Sequence, residues 1–124
     1  MLTVKLICAG RMREKFYIEA YKEYVKRLAA FCKFEEAEIA EVKTDDDASQ
    51  KEIDQALNKE ADEILEKIPQ GAFVIAMCVE GKPRSSEELA QLMAQSALTG
   101  ESHLVFLIGG SLGLHPDVIR RADE

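Results

Sequence analysis

Leu104-Val105-Phe106-Leu107-Ile108-Gly109-Gly110-Ser111-Leu112-Gly113-Leu114 is the stretch on which the reading of the fold turns. Its first five residues are apolar and favour extended backbone. They read as a strand buried on both faces, and such strands belong to parallel sheets covered by helices. Glycines follow at once, where a chain leaving a strand must turn tightly, adopt positive φ or let a ligand approach its main chain. In open α/β sheets ligands bind beyond the carboxyl ends of strands, so Gly109–Gly113 stands where a cofactor would sit. Gly109, Gly110 and Gly113 do not spell the dinucleotide fingerprint, and no Lys-Ser/Thr pair follows to make a phosphate-cradling loop. On its residues alone the loop is equally a strand-to-helix turn. Pro116 suits the first turn of the helix expected after it.

Phe73–Val79 is a second stretch apolar throughout, which places it at the sheet centre. It leaves through Val79-Glu80-Gly81-Lys82-Pro83-Arg84. If the two buried strands are neighbours, both loops project from one edge and line one pocket, with the backbone of Met77 and Gly109 near its floor. Lys82 and Arg84 then become candidates to meet an RNA phosphate, although a Gly-Lys-Pro turn is also simply a turn. Ser85 and Glu88 have capping-box spacing and open a helix through Leu89, Leu92 and Met93 to about Gly100.

Further out, Leu2–Ala9 reads as a buried first strand ended by Gly10. From about Arg13 to Ala30, Tyr17, Tyr21, Tyr24 and Leu28 recur at helical spacing, which predicts an amphipathic helix with its basic residues outward. Phe34–Val42 is a weaker strand with interleaved Glu, suited to a sheet edge. Lys43–Asp47 is a polar loop. Ser49 and Glu52 open a helix whose Ile53, Leu57, Ile64 and Ile68 share a face until Pro69-Gln70-Gly71 stops it. Short buried strands alternating with helices predict an α/β fold with a largely parallel sheet flanked by helices. No repeat, low-complexity tract or linker divides the chain, and a length of 124 residues suits one domain over 1–124.

The composition, 47% apolar and 31% charged, is that of a soluble globular protein. No apolar run approaches the roughly 20 residues of a membrane span. The N-terminal run from Met1 to Gly10 has no basic segment ahead of it, so it is not read as a signal peptide and a cytoplasmic location is expected. Cys8, Cys32 and Cys78 are odd in number and set among apolar neighbours, which favours buried, reduced thiols over disulfides. His103 and His115 lack ligands at metal spacing, so no metal is implied. No Ser-His-Asp order is persuasive, Glu80 is read as a solvated loop residue and His115 as a helix cap. No catalytic residue is singled out.

A net charge of -7 counts against a nucleic-acid partner until its distribution is considered. Residues 1–34 hold eight Lys/Arg against three Glu, a balance of +5, whereas residues 35–70 hold four Lys against thirteen Asp/Glu, a balance of -9. A basic N-terminal face carrying Arg11, Arg13 and Lys15 is compatible with RNA, and equally with a solvated helix face.

With both loops in view, the chain resembles the ribosomal large subunit methyltransferase H family, a small branch of the SPOUT methyltransferases. The residues that carry the resemblance run along the whole sequence: Cys8-Ala9-Gly10-Arg11-Met12, Tyr21-Lys22-Glu23-Tyr24-Val25-Lys26-Arg27-Leu28, Lys59-Glu60 to Ile64-Leu65, Glu80-Gly81-Lys82 with Ser85-Ser86-Glu87, and above all Phe106 to Leu114. The resemblance implies a SPOUT-type α/β fold with a C-terminal trefoil knot, a rare exception to the rule against threaded chains. It further implies a homodimer that binds S-adenosyl-L-methionine in the knot and methylates N3 of a pseudouridine in the large-subunit rRNA of the ribosome. Carried over by position, Met77 and Gly109 match family cofactor contacts, and Gly110 adjoins them.

Family members continue past the position of Glu124 through a last strand, a second cofactor loop, a long helix and a Tyr-His tail. The sequence is therefore expected to be C-terminally truncated, to lack the knot segment and to bind cofactor poorly. Micromolar S-adenosylmethionine binding in a calorimeter would count against that expectation. Two other readings stay open: a nucleotide-binding α/β module of another class, and a non-catalytic ribosome-associated protein. A thermal-shift panel of S-adenosylhomocysteine, NAD and ATP separates the first from the methyltransferase reading.

Overall fold

The computed structural model describes residues 2–42, 44–100 and 102–124. Met1, in the N-terminal run, Lys43, in the polar loop, and Glu101 lie outside the described residues. The elements are β1 (Thr3–Ala9), α1 (Lys15–Leu28), β2 (Lys33–Ile39), α2 (Gln50–Lys67), β3 (Phe73–Met77), α3 (Ser86–Leu98), β4 (His103–Ile108) and α4 (Pro116–Arg121). The four strands form one parallel sheet in the order β2-β1-β4-β3. This is the α/β architecture expected from alternating strand and helix signals.

The pleat sorts side chains to two faces. On one face Ile7, Val74, Val105 and Leu107 pack with Ala61 and Ile64 of α2 and Val118 of α4 into a core where most are wholly buried. On the other, Val4 and Leu104 are buried with Cys32, and Phe34, Phe73, Phe106 and Met93 pack against them only partly covered. Cross-strand register aligns these sets, with Val4 opposite Leu104 and Leu104 opposite Phe73.

Two sequence expectations are corrected. β3 lies at the end of the described sheet, not at its centre, and β1 and β4 are the central strands. Continuous apolar composition reports that both faces are covered, not how many strands flank an edge. The outer edge of β3 is met by the chain's own last residues: Asp123 N–H donates to the Val74 carbonyl at 2.7 Å and Val74 N–H to the Asp123 carboxylate at 2.9 Å. On α1, Ile18, Tyr21 and Val25 turn toward the sheet, while Tyr17 and Tyr24 are 56% and 63% exposed. Positions 17, 21 and 24 and positions 18, 21 and 25 are both helical faces, and the aliphatic one takes the interior.

The ends of the helices follow from local chemistry. Ser85 and Glu88 form the full reciprocal capping box of α3. At α2 Ser49 caps the Glu52 N–H, but the Glu52 carboxylate meets the serine hydroxyl instead of its N–H, so the box is half-made. His115 caps α4 through Nδ1, which accepts from Asp117 N–H at 2.9 Å.

Candidate functional site

The connections create a crevice between the two central strands. β1 leads through α1 to β2 on one side, whereas β4 leads into α4, which packs toward β3 on the other. Where neighbouring strands send their chains in opposite directions, the loops part above the carboxyl edge, and open α/β sheets bind ligands there. Gly10 ends β1, and Gly109-Gly110 ends β4. Both strand ends therefore consist of glycine backbone, and the Glu41 side chain occupies the space beside Gly10 and Gly110.

Each glycine of the β4 loop has its own reason. Gly113 has φ +80° and closes a tight turn by donating its N–H to the Gly110 carbonyl at 3.0 Å. Gly109 and Gly110 do not use positive φ; they provide clearance. A Cβ on Gly109 would lie 2.5 Å from the Gly113 carbonyl oxygen, and one on Gly110 would lie 2.7 Å from Glu41 Oε1. The expectation of positive φ holds only at Gly113.

Glu41 is the site residue that sequence reasoning missed. It leaves the end of β2, crosses the carboxyl end of β1 and accepts both the Ser111 N–H at 2.8 Å and the Ser111 O–H at 2.7 Å through Oε1. Its Oε2 would stand 3.1 Å from a Cβ on Gly10. In the sequence it is one more acid after Glu35, Glu36 and Glu38, and no spacing distinguishes it.

Two hollows lie near the carboxyl ends of the strands, and residues 109–113 line neither. One, of about 690 Å³, is walled by Ile75, Met77, Leu89, Leu92 and Phe106 and rimmed by Lys82, Arg84 and Glu124. That volume and its mixture of apolar wall and few charges suit a small-molecule ligand. Met77 thus comes together with Lys82 and Arg84, and Arg84 is ion-paired to Glu124. Gly109 and Gly110 lie outside this lining, although Met77 pairs in register with Ile108, the residue before Gly109. The second hollow is more open and is lined by Gly10, Arg11, Arg13, Glu38, Ile39 and Glu41. Lys15 opens α1 as an exposed residue outside that lining. Of the five candidate phosphate contacts, Lys82 and Arg84 share the first hollow, Arg11 and Arg13 the second, and Lys15 lines neither.

Three titratable groups, Cys8, Tyr21 and Glu60, are moved toward their protonated forms. Burial, and then the negative charge of Glu36 and Glu38, pushes the Cys8 thiol up. Tyr21 is driven up by burial and by its hydrogen bond to Glu36. Glu60 is raised chiefly by burial, opposed by its hydrogen bond from the Val42 N–H and reinforced by Glu41 and Glu63. The upward shift keeps the Cys8 thiol protonated and so disfavours it as a thiolate nucleophile. Cys32 is buried and Cys8 and Cys78 are half-buried, all with free thiols. Glu80 is exposed. Among the described residues no group of three or more His, Cys, Asp or Glu is placed to hold a metal ion, and no helix is long and apolar enough to cross a membrane.

Comparison with known proteins bears on this site. Residues 2–124 match the family model described as "Predicted SPOUT methyltransferase". A protein of Limosilactobacillus reuteri (strain DSM 20016) named ribosomal RNA large subunit methyltransferase H is 42% identical over 122 residues, covering 98% of this chain and 77% of the relative. Proteins of the same name are 44% identical over 123 residues in Streptococcus thermophilus (strain ATCC BAA-491 / LMD-9) and 45% over 122 in Streptococcus sanguinis (strain SK36). The chain covers 77% of each of those two and 99% and 98% of itself, respectively.

Proposed function

The chain belongs to the SPOUT methyltransferase family, and on that premise we propose that it methylates large-subunit ribosomal RNA, moving the methyl group of S-adenosylmethionine to N3 of a pseudouridine. The observation that carries this reading is the bare-backbone loop Gly109–Gly113 at the crevice of a parallel sheet, in a chain 42% to 45% identical to relatives named for that class of reaction.

Fit to the cofactor is judged from the residues present. Gly109 and Gly110 carry no side chain at the carboxyl edge, and Met77 opens onto an apolar cavity of ligand size. The main chain at Met77, Gly109 and Gly110 is the proposed holder of the donor, whose sulfonium supplies an already activated methyl group. The chain's own contribution is then placement: it holds the acceptor nitrogen in line and excludes water, which accounts for large rate factors without a covalent protein intermediate. Arg11, Arg13, Lys15, Lys82 and Arg84 are the proposed RNA contacts, since phosphate binding rests on cations whatever the net charge. With the C-terminal segment that the longer relatives carry, family resemblance extends the proposal to a cytoplasmic, knotted homodimer acting on the ribosome.

The relatives are longer than the matched span, so the test uses residues 1–124 continued by the C-terminal segment of the L. reuteri relative. Incubated with S-adenosylmethionine and ribosomes from cells lacking the activity, this protein is expected to add one methyl group to a pseudouridine, read by mass spectrometry of the extracted RNA. Binding of S-adenosylhomocysteine with no RNA methylation would refute the substrate, and a thermal shift with NAD or ATP instead would refute the donor. Reversal of Arg11, Arg13 and Lys15 to Glu should weaken ribosome binding with little effect on donor affinity.

A further inference from the structure

We infer that Glu41 is a positioning residue that latches the Gly109–Gly113 loop in the shape required to hold the donor. The inference rests on the proposed donor-binding role of that loop.

Four observations converge on Glu41. Both donors of Ser111, its N–H and its O–H, end on Oε1 at 2.8 Å and 2.7 Å. The same carboxylate fills the space left by two glycines from different strands, Gly10 and Gly110. It does so from the far side of the sheet, spanning β1 to join the end of edge strand β2 to the loop of β4. Its own backbone is anchored, because the next residue, Val42, donates its N–H at 2.8 Å to Glu60, which is 3% exposed and sits on α2.

Physical chemistry gives this arrangement a purpose. Residues 110–113 are closed on themselves by the antiparallel Gly110–Gly113 bridge, with Gly113 N–H donating to the Gly110 carbonyl at 3.0 Å, and a glycine-rich segment has the most conformational freedom to lose. A carboxylate that accepts two hydrogen bonds from one residue is stronger than a neutral acceptor and fixes the direction of the backbone there. Glu41 does not enter the apolar cavity, so it acts through the loop and not on the donor itself.

The test compares residues 1–124, continued by the C-terminal segment of the L. reuteri relative, with the Glu41→Ala and Glu41→Gln variants of the same protein, the amide keeping an acceptor oxygen in place while removing the charge. Amide hydrogen exchange without ligand is expected to rise about tenfold at Ser111 in Glu41→Ala, the loss of the acceptor oxygen that Ser111 N–H uses. Val105 and Leu107 should be unchanged, and Glu41→Gln should stay near the parent. S-adenosylhomocysteine is then titrated to millimolar concentration against amide chemical shifts, a readout that registers weak binding. The expected result is affinity lowered about tenfold by Glu41→Ala and restored by Glu41→Gln.

Unchanged Ser111 exchange in Glu41→Ala would overturn the latch. Loosened exchange with unchanged affinity would overturn the positioning role alone. Equal acceleration at Val105 and Leu107 would reduce Glu41 to a general stabilising residue. If the parent chain shows no shift at all at Gly109–Gly113, the donor reading fails and the inference falls with it.

Discussion

Gly109→Ala tests the clearance argument most directly, because the clash it creates is with backbone. The added Cβ would meet the Gly113 carbonyl oxygen at 2.5 Å and its carbon at 2.6 Å, and ordinary contact begins near 3.4 Å, so the turn must open by about 0.9 Å. No rotamer change can relieve it. Opening endangers the 3.0 Å bond from Gly113 N–H to Gly110, with a net value of about 1 kcal/mol, and overpacking adds about 1 kcal/mol or more where the loop relaxes only in part. The expected loss is about 2 kcal/mol, a fall in Tm of roughly 8 °C for a chain of this size.

Gly71→Ala is the matched control. Gly71 has φ +80° with nothing within 4 Å of the added carbon, so its cost is left-handed strain alone, about 1–2 kcal/mol. The two variants should therefore lose similar stability in urea unfolding. Only Gly109→Ala should lose S-adenosylhomocysteine affinity in an NMR titration, by about tenfold or more, since displacements near 1 Å are costly at a site that works by placement. Equal affinity in the two variants would refute the claim that Gly109 matters to the loop's shape rather than to stability.

Other consequences follow from burial and charge. The carboxyl of Glu60 binds its proton more tightly in the folded chain than in the unfolded one, so folding is favoured as pH falls from neutral through the raised value toward the ordinary carboxylate range. Glu60→Gln keeps an acceptor for Val42 N–H and lacks that proton uptake; its stability at neutral pH should match or exceed the parent's. The parent's stability relative to the variant should rise on acidification from about pH 7.5 to about pH 5, read by urea midpoints, and parallel profiles would show that burial of the charge has no cost. Leu107→Ala, at a wholly buried position, should remove about 2–5 kcal/mol, whereas Ile108→Ala, 42% exposed, should remove less than about 1.5 kcal/mol; a reversed order in urea unfolding would contradict the assignment of the two faces. Ser85→Ala should cost about 1 kcal/mol through the α3 capping box, and Ser49→Ala less, because its box is half-made.

Much of the scaffold was legible because its signals are local. Apolar runs at Leu104–Ile108 and Phe73–Val79, the second a strand only as far as Met77 with Val79 fully exposed, helical spacing in α2, the box at Ser85 and the cap at His115 depend on residues a few positions apart, and backbone sterics and hydrogen bonding act over that range. The α/β class with a parallel sheet follows from those pieces in alternation, and the family resemblance from motifs read in order along the chain.

What only the tertiary structure decided is how the pieces meet. A strand's composition reveals that its faces are covered but not which strands flank it, so β3 stands at the end of the sheet despite its apolar run. A helix with two plausible faces chooses by what it lands on, so Ile18 and Val25 turn inward and Tyr17 and Tyr24 outward. Met77 and Gly109, expected together at the floor of one pocket, part in the structure: Met77 lines the apolar cavity and Gly109 does not, its space being taken by Gly113 and Leu114. The latch at Glu41 lies furthest from sequence reading: its bond to Ser111 spans 70 residues and exists only because the order β2-β1-β4 brings those strand ends side by side.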